Sequence, residues 1–275
     1  MKLTAVMFAQ MLGLIRCVFR LTQGAFWVVV VTLLIPPIYL MARKGETWRP
    51  GFPERCMHLV SRRFYSSFNV KVRYIGEVVE YGNMVMPNHI SWLDIIVITG
   101  RYPFGFVAKS EVRNWPLFGA MGAAIGTLFI NRESKFSVYR SLPEGQKMLR
   151  RGQTLAVFPE GTTTRGDDVL HYYPMTFEIA VREKALVQPI VLRYLNEDGQ
   201  ISKSAPFVDD DGFLQSLFRV ARSKSTHVEV HFLEPLVGAK LNRKELAKAA
   251  QAAAKEIIQL EGHYPEFNPL PAALQ

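Results

Sequence analysis

Residues 83–94 read NMVMPNHISWLD, and this stretch sets the pattern for the rest of the chain. The apolar run 83–86 has the length of a buried strand, and Pro87-Asn88 end it. A helical segment follows over 90–99. His89, Ser91 and Asp94 sit at the junction. Strand, polar loop, then helix is the repeating unit of α/β proteins.

The unit recurs outward from there. Strand-like runs lie at 70–74, 104–108, 127–130, 154–158, 186–194 and 227–232, with helical patterns at 114–124, 136–150 and 175–183. An Ala- and Lys-rich segment, 244–260, closes the fold as a helix. The alternation predicts an α/β fold: one largely parallel sheet flanked by helices. Residues 115–130 are uncharged and contain Gly119, Gly122 and Gly126, which mimics a membrane helix. The run is too short to span comfortably. Its TLFI ending predicts a helix, a Gly turn and a buried strand.

His89 and Asp94 are five apart, so on one continuous helix they would diverge by about 140°. They meet only if His89 lies in the loop before the helix. Ser91 as N-cap, with Asp94 third in the helix, gives that geometry. Two readings follow. In one, Asp94 holds the His89 imidazole in one tautomer for general-base work; in the other, Ser91-x-x-Asp94 serves only as a capping box. Other strands also end in polar groups: Lys109, then Asn131-Arg132, then 159–166, PEGTTTRG. In open parallel sheets ligands bind at that edge. Gly161 and the threonines after it form a turn suited to an anion or a polyol.

Composition narrows the classes. The 275 residues are 49% hydrophobic and 21% charged, which excludes a disordered chain and a polytopic membrane protein. Cys17 and Cys56 are too few for a disulfide framework or a cysteine zinc site. A net charge of +9 suggests an anionic partner. There is no GxSxG elbow, no phosphate-loop Lys and no GxGxxG. No metal-ligand spacing appears. His227 and His231 are four apart in a strand pattern and read as structural or solvent-facing.

The N-terminus points that charge toward lipid rather than nucleic acid. Residues 25–42, AFWVVVVTLLIPPIYLMA, carry no charge and reach the lower limit for crossing a bilayer. Pro36-Pro37 is expected to kink or end that helix. Arg16 and Arg20 precede the run and no small-residue cleavage site follows, against a signal peptide. The alternative is a buried core helix. Arg43, Lys44, Arg49, Arg55, Arg62 and Arg63 follow, which places the body in the cytoplasm if the segment spans and favours anionic headgroups if it dips. Residues 54–68 fit an interfacial amphipathic helix.

Residues 88–94, NHISWLD, resemble the NHxxxxD block of the PlsC-like glycerolipid and lysophospholipid acyltransferases. Residues 126–132, GTLFINR, look like that family's GxxFIxR block. Residues 158–162, FPEGT, look like its third block, and 187–190, VQPI, its weaker fourth. The resemblance covers roughly residues 70–235, in order and spacing. It implies residues 1–68 as membrane-anchoring and interfacial helices, with 69–275 as the acyltransferase domain. It implies acyl transfer from acyl-CoA or acyl-carrier protein to a lysolipid hydroxyl, foremost 1-acyl-glycerol 3-phosphate, giving phosphatidate. No metal or cofactor is expected. His89 becomes the general base and Asp94 its orienter. Arg132 binds the headgroup, and Glu160 and Gly161 hold the glycerol part, with Thr162 beside them. Lys109 is an auxiliary cation by position. The third block of phosphatidate-forming members continues FPEGTR, whereas Thr163 stands here and the next arginine is Arg165. That departure opens lyso-ornithine lipid or another lysolipid as acceptor. A non-catalytic lipid-binding protein on the same fold is a further alternative. The expected location is a membrane, the inner one in a bacterium, with the active site facing the cytoplasm.

Overall fold

A computed structural model gives the fold and describes residues 2–42, 52–79, 81–114, 118–124, 126–131, 135–208 and 211–262. Two helices open the chain, α1 (Lys2–Ala42) and α2 (Phe52–Ser67). Then come β1 (Val70–Ile75), β2 (Met84–Pro87), α3 (Leu93–Thr99), β3 (Gly105–Lys109), a 3-10 turn (Ser110–Asn114), α4 (Phe118–Ala124) and β4 (Leu128–Ile130). The second half holds α5 (Lys135–Arg150), β5 (Leu155–Ala156), a 3-10 turn (Pro174–Phe177), α6 (Glu178–Glu183) and β6 (Leu186–Leu195). It closes with α7 (Phe213–Arg222), β7 (Thr226–Phe232), β8 (Leu236–Val237) and α8 (Arg243–Ile258).

The sheet order is β1-β7-β6-β2-β5-β3-β4, with β8 pairing with β6. The strands β6, β2, β5, β3 and β4 run parallel, while β7 is antiparallel to β6 and carries β1 with it. The expected largely parallel sheet is therefore present, with a reversed pair on one edge. Side chains alternate across it. Met84 and Met86 of β2 face Leu142 and Leu149 of α5 and Leu246 and Ala250 of α8 in one core. Val85 joins Leu93, Val97 and Ile98 of α3, Phe68 beyond α2 and Val220 of α7 in the other. Burying each such side chain contributes about 1.5–3 kcal/mol, so both faces of the sheet need their helices.

Within the 115–130 run the described residues form α4, a turn and β4, as expected. Gly126 has φ +76°, and a Cβ there would strike Gln153 Nε2 at 2.2 Å. A Cβ at Gly119 would strike the Arg113 carbonyl oxygen at 2.0 Å. These glycines serve close packing within the domain.

Three expectations change. Helix α3 starts at Leu93, after a Trp92 N-cap, and not at 90. Helix α1 continues through Pro36-Pro37 to Ala42. A proline pair removes two N–H donors, yet its φ suits a helix, so the chain can carry on. Helix α7 and strand β8 were not foreseen.

Helix α1 is two-faced between residues 11 and 34. Gly13, Cys17, Arg20, Gly24 and Val31 are turned inward. A Cβ at Gly24 would meet the Phe68 ring at 2.8 Å, so this face packs closely on the end of α2. Met11, Leu14, Ile15, Val18, Phe19, Phe26, Val29 and Leu33 are exposed. Met11–Leu34 is long and apolar enough to cross a membrane, with 22% of its most apolar window buried. It overlaps the expected 25–42 run over residues 25–34.

Candidate active site

The site forms where β2 ends between its two neighbours, β5 and β6. Asn88 fixes the exit of β2. Its side-chain amide donates to the Leu192 carbonyl, and its oxygen accepts from Leu192 N at 2.7 Å. The chain then turns so that His89 precedes α3, as the spacing required.

His89 Nδ1 lies 2.7 Å from Asp94 Oδ2. A carboxylate only accepts, so Nδ1 carries the proton and Nε2 presents its lone pair. The same Asp94 oxygen accepts from Ile90 N at 2.8 Å and Ser91 N at 3.0 Å. Asp94 Oδ1 accepts from the Tyr194 hydroxyl at 2.7 Å. The capping and orienting readings are thus one arrangement: a single buried carboxylate closes the loop and holds the imidazole. Ser91 is a poorer cap than expected, its hydroxyl accepting from Leu93 N at only 3.4 Å.

Beneath the imidazole lies Phe158, stacked at 4.0 Å between ring centroids. The Asp94 side chain is fully buried while 21% of that of His89 stays exposed. The imidazole is therefore braced below and on its Nδ1 side, and its outer edge reaches solvent.

The turn after β5 wraps this loop. Glu160 Oε1 accepts from His89 N at 2.8 Å and Oε2 from Leu170 N at 2.7 Å. Burial pushes the Glu160 carboxyl above its usual range, and those two amides oppose the shift. Thr164 N donates to the His89 carbonyl at 2.8 Å. Gly161 has φ +71°, a conformation that favours glycine. Gly161 and Thr162 are exposed above the buried Glu160.

Of the residues read from the sequence, His89, Asp94 and Glu160 come into one bonded network. Gly161 and Thr162 lie at its rim. Arg165 is exposed; the Asp211 carboxyl is held below its usual range first by the hydrogen bond from Arg219, with the Arg165 charge the smallest contribution. Lys109 is exposed at the end of β3, two strands from β2, or about 10 Å at normal strand spacing. Arg132 lies outside the described residues, one position beyond the exposed Asn131. Sequence reasoning missed Tyr194. It sits at the carboxyl end of β6, but only the pairing of β6 with β2 brings it to Asp94.

Residues 69–193 match the acyltransferase family. A lyso-ornithine lipid O-acyltransferase of Pseudomonas aeruginosa is 36% identical over 195 residues, covering 70% of this chain and 74% of that protein. The chain belongs to the acyltransferase family. A second relative of this acyltransferase, a lyso-ornithine lipid O-acyltransferase of Brucella abortus, is 30% identical over 82% of this chain and 88% of its own. A 1-acyl-sn-glycerol-3-phosphate acyltransferase of Neisseria gonorrhoeae is 36% identical over 55% and 59% of the two chains. The crystal structure of the 1-acyl-sn-glycerophosphate acyltransferase PlsC of Thermotoga maritima shares the acyltransferase's fold. Its TM-score is 0.65 at 19% identity, over 91% of this chain and 96% of that one.

Proposed function

We propose that this acyltransferase moves an acyl group from a thioester, acyl-CoA or acyl-carrier protein, to the free hydroxyl of a lysolipid. The observation that carries the reading is the His89–Asp94 pair, with Nδ1 fixed at 2.7 Å and the outer edge of the ring reaching solvent. Binding alone needs no oriented imidazole. His89 Nε2 takes the acceptor's hydroxyl proton as its oxygen attacks the thioester carbonyl. The carbon–sulfur bond then breaks, and the imidazolium returns the proton to the leaving thiolate. Asp94 holds the tautomer and balances the imidazolium. Gly161 and Thr162 contact the acceptor, and Glu160 acts from beneath by fixing the His89 amide. The chemistry calls for no metal or cofactor.

Two acceptors have support. The GxxFIxR-like block with Arg132, together with Lys109 at the end of β3 and the exposed Arg165 of the loop after β5, suits the phosphate of 1-acyl-glycerol 3-phosphate. Lyso-ornithine lipid is favoured by the relatives that span most of both chains and by Thr163. The Thr163 hydroxyl donates to the Phe207 carbonyl, so the position of the usual arginine is spent on holding a loop. The protein works at a membrane through the exposed face of α1, with its active site toward the cytoplasm, where acyl thioesters are made. The test is an acceptor panel of both lysolipids and neutral lysophospholipids, assayed with each thioester and with His89→Ala as control. Product with none of them ends the proposal.

A further inference from the structure

Helix α7, FLQSLFRVAR, is amphipathic in an unusual sense. Ser216, Val220 and Ala221 are buried. Yet Leu214 is 65% exposed and Phe218, one turn on, is 47% exposed, with Phe213 at 38%. A helix that faced only water would carry polar residues at 214 and 218.

Both ends of α7 are tied to elements already described. At its start the Phe213 ring meets Trp92 edge-on at 5.3 Å, and Trp92 Nε1 donates to Ser216 Oγ at 3.2 Å. Trp92 is the N-cap of α3, two residues before Asp94. At its end, Arg20 of α1 donates to the carbonyls of Ala221, Ser223 and Lys224 at 3.1, 2.5 and 3.0 Å. Ala221 lies in the last turn of α7 and the other two carbonyls just beyond it, at a helix C-terminus where a cation is favourable. Ten residues of helix span about 15 Å. So α7 bridges the catalytic loop and the two-faced helix α1, with apolar side chains exposed on both helices.

We infer that α7 is a second membrane-contacting element, with Leu214 and Phe218 seated in the bilayer interface beside α1. The occupant is lipid, on two grounds. The exposed apolar residues of α7 lie on a helix packed against α1, whose own exposed face is a long apolar stripe. Cations also belong to this group of helices: Arg222 is exposed in the last turn of α7, and Arg55 and Arg63 are exposed on α2, which packs on α1. Apolar residues with neighbouring cations match anionic headgroups over acyl chains. This seating holds the mouth of the His89 site at the membrane surface. There a lysolipid can offer its hydroxyl to Nε2 while its chain stays in the bilayer, a consequence that rests on the lysolipid reading above.

The test uses the full chain in vesicles of phosphatidylethanolamine and phosphatidylglycerol. With Cys17 and Cys56 replaced by alanine, nitroxide labels are placed through Leu214→Cys, Phe218→Cys, Val29→Cys and Lys203→Cys. Labels at 214 and 218 are expected to collide with oxygen more than with a nickel chelate, as at Val29 on α1. The exposed Lys203 should show the reverse. Water-like collision at 214 and 218 overturns the inference, whatever Val29 shows. So does spin–spin broadening between labels at 218, the mark of a second copy on this face. A kinetic arm separates this inference from the lysolipid reading. Leu214→Ser with Phe218→Ser should raise the KM for a vesicle-borne lysolipid about tenfold, from lost apolar burial, and leave a short-chain soluble acceptor unaffected. Equal KM for the vesicle-borne acceptor overturns α7 seating. No acylation of either acceptor by the unmodified enzyme ends the lysolipid reading.

Discussion

The Tyr194 hydroxyl donates to Asp94 Oδ1 at 2.7 Å, joining residues 100 apart in sequence. Tyr194 is 2% exposed, and burial first, then the Asp94 charge, pushes its phenol far above the usual range. The hydroxyl therefore stays protonated and serves as a fixed donor. Asp94 then has donors on both oxygens: Tyr194 on one, His89 and two amides on the other.

Tyr194→Phe removes that donor with little change of shape. An unsatisfied buried carboxylate oxygen costs about 1–3 kcal/mol, so thermal unfolding should fall by several degrees. The freed carboxylate can rotate from His89, and kcat should fall about tenfold, within the range that general-base catalysis contributes. Turnover equal to wild type would remove Tyr194 from the positioning of His89.

His89→Ala should lose about 10²–10⁴-fold in activity with little loss of stability, because the ring is partly exposed. Asp94→Asn should lose both. Its amide cannot accept at both positions, so either the imidazole or the loop amides lose their partner. Activity assays with unfolding curves on the same preparations separate the two. An Asp94→Asn enzyme that is less stable but fully active would leave Asp94 as a cap only.

Much of this site was legible because its parts are local. His89, Ser91 and Asp94 lie within one loop, and their spacing alone required His89 to precede the helix. The strand ends were legible because each strand is a short apolar run closed by polar residues. What sequence could not give was strand adjacency. Strand β5 lies between β2 and β3, which puts Phe158 under His89 and leaves Lys109 two strands away. Helix α7 has a clear apolar–polar period, with Phe213, Leu214, Leu217, Phe218 and Val220 on one side, but which of them meet the domain depends on Trp92 and Arg20, both remote in sequence. Ser91 proved a poor N-cap because Trp92 takes that position and binds α7.

Arg20 makes the contact that ties α1 to the catalytic domain. It is 7% exposed and reaches the Ala221 carbonyl in the last turn of α7 and those of Ser223 and Lys224 just beyond it. Arg20→Met keeps the stem and removes the charge. Hydrogen bonds to charged groups contribute about 1.5–3 kcal/mol net of their exchange with water. Faster protease cleavage between α1 and α2 in detergent is expected, with a lower unfolding temperature. Unchanged cleavage would show that apolar packing alone holds α1.

His58 on α2 should make the fold acid-sensitive. Burial, then Arg62 and Arg101, holds its pKa at about 4 against an ordinary 6.5. Among the described residues its Nε2 has no hydrogen-bond partner. A depressed value favours the neutral form in the folded state. The stability this gives is full above pH 6.5 and is lost as pH falls toward about 4. The half-buried site is partly solvated, so the loss is on the order of 1–2 kcal/mol. His58→Leu should flatten the fall in unfolding temperature across that window. An identical slope in the variant would assign the acid sensitivity elsewhere.

The acceptor headgroup is decided by its need for cations. The phosphate monoester of 1-acyl-glycerol 3-phosphate carries up to two negative charges and calls for more than one positive partner. Arg132 supplies the first in the proposed reading, and Lys109 or Arg165 the second. Arg165 follows Thr163 and Thr164 in the turn that also holds His89, and its side chain is exposed. Arg132→Ala should therefore raise the KM for the phosphate acceptor most, by roughly 10–150-fold for a charge-assisted contact of about 1.5–3 kcal/mol. Arg165→Ala should raise it by a smaller factor. An ornithine headgroup has a carboxylate and an amine but no phosphate, so its KM should respond weakly to either change. Saturation kinetics on both acceptors, with wild type and each variant, separate the two cases. If wild type ignores the phosphate acceptor and acylates lyso-ornithine lipid, phosphate is not the selected group. Thr163, held to the Phe207 carbonyl, would then mark where the headgroup site lost its second arginine.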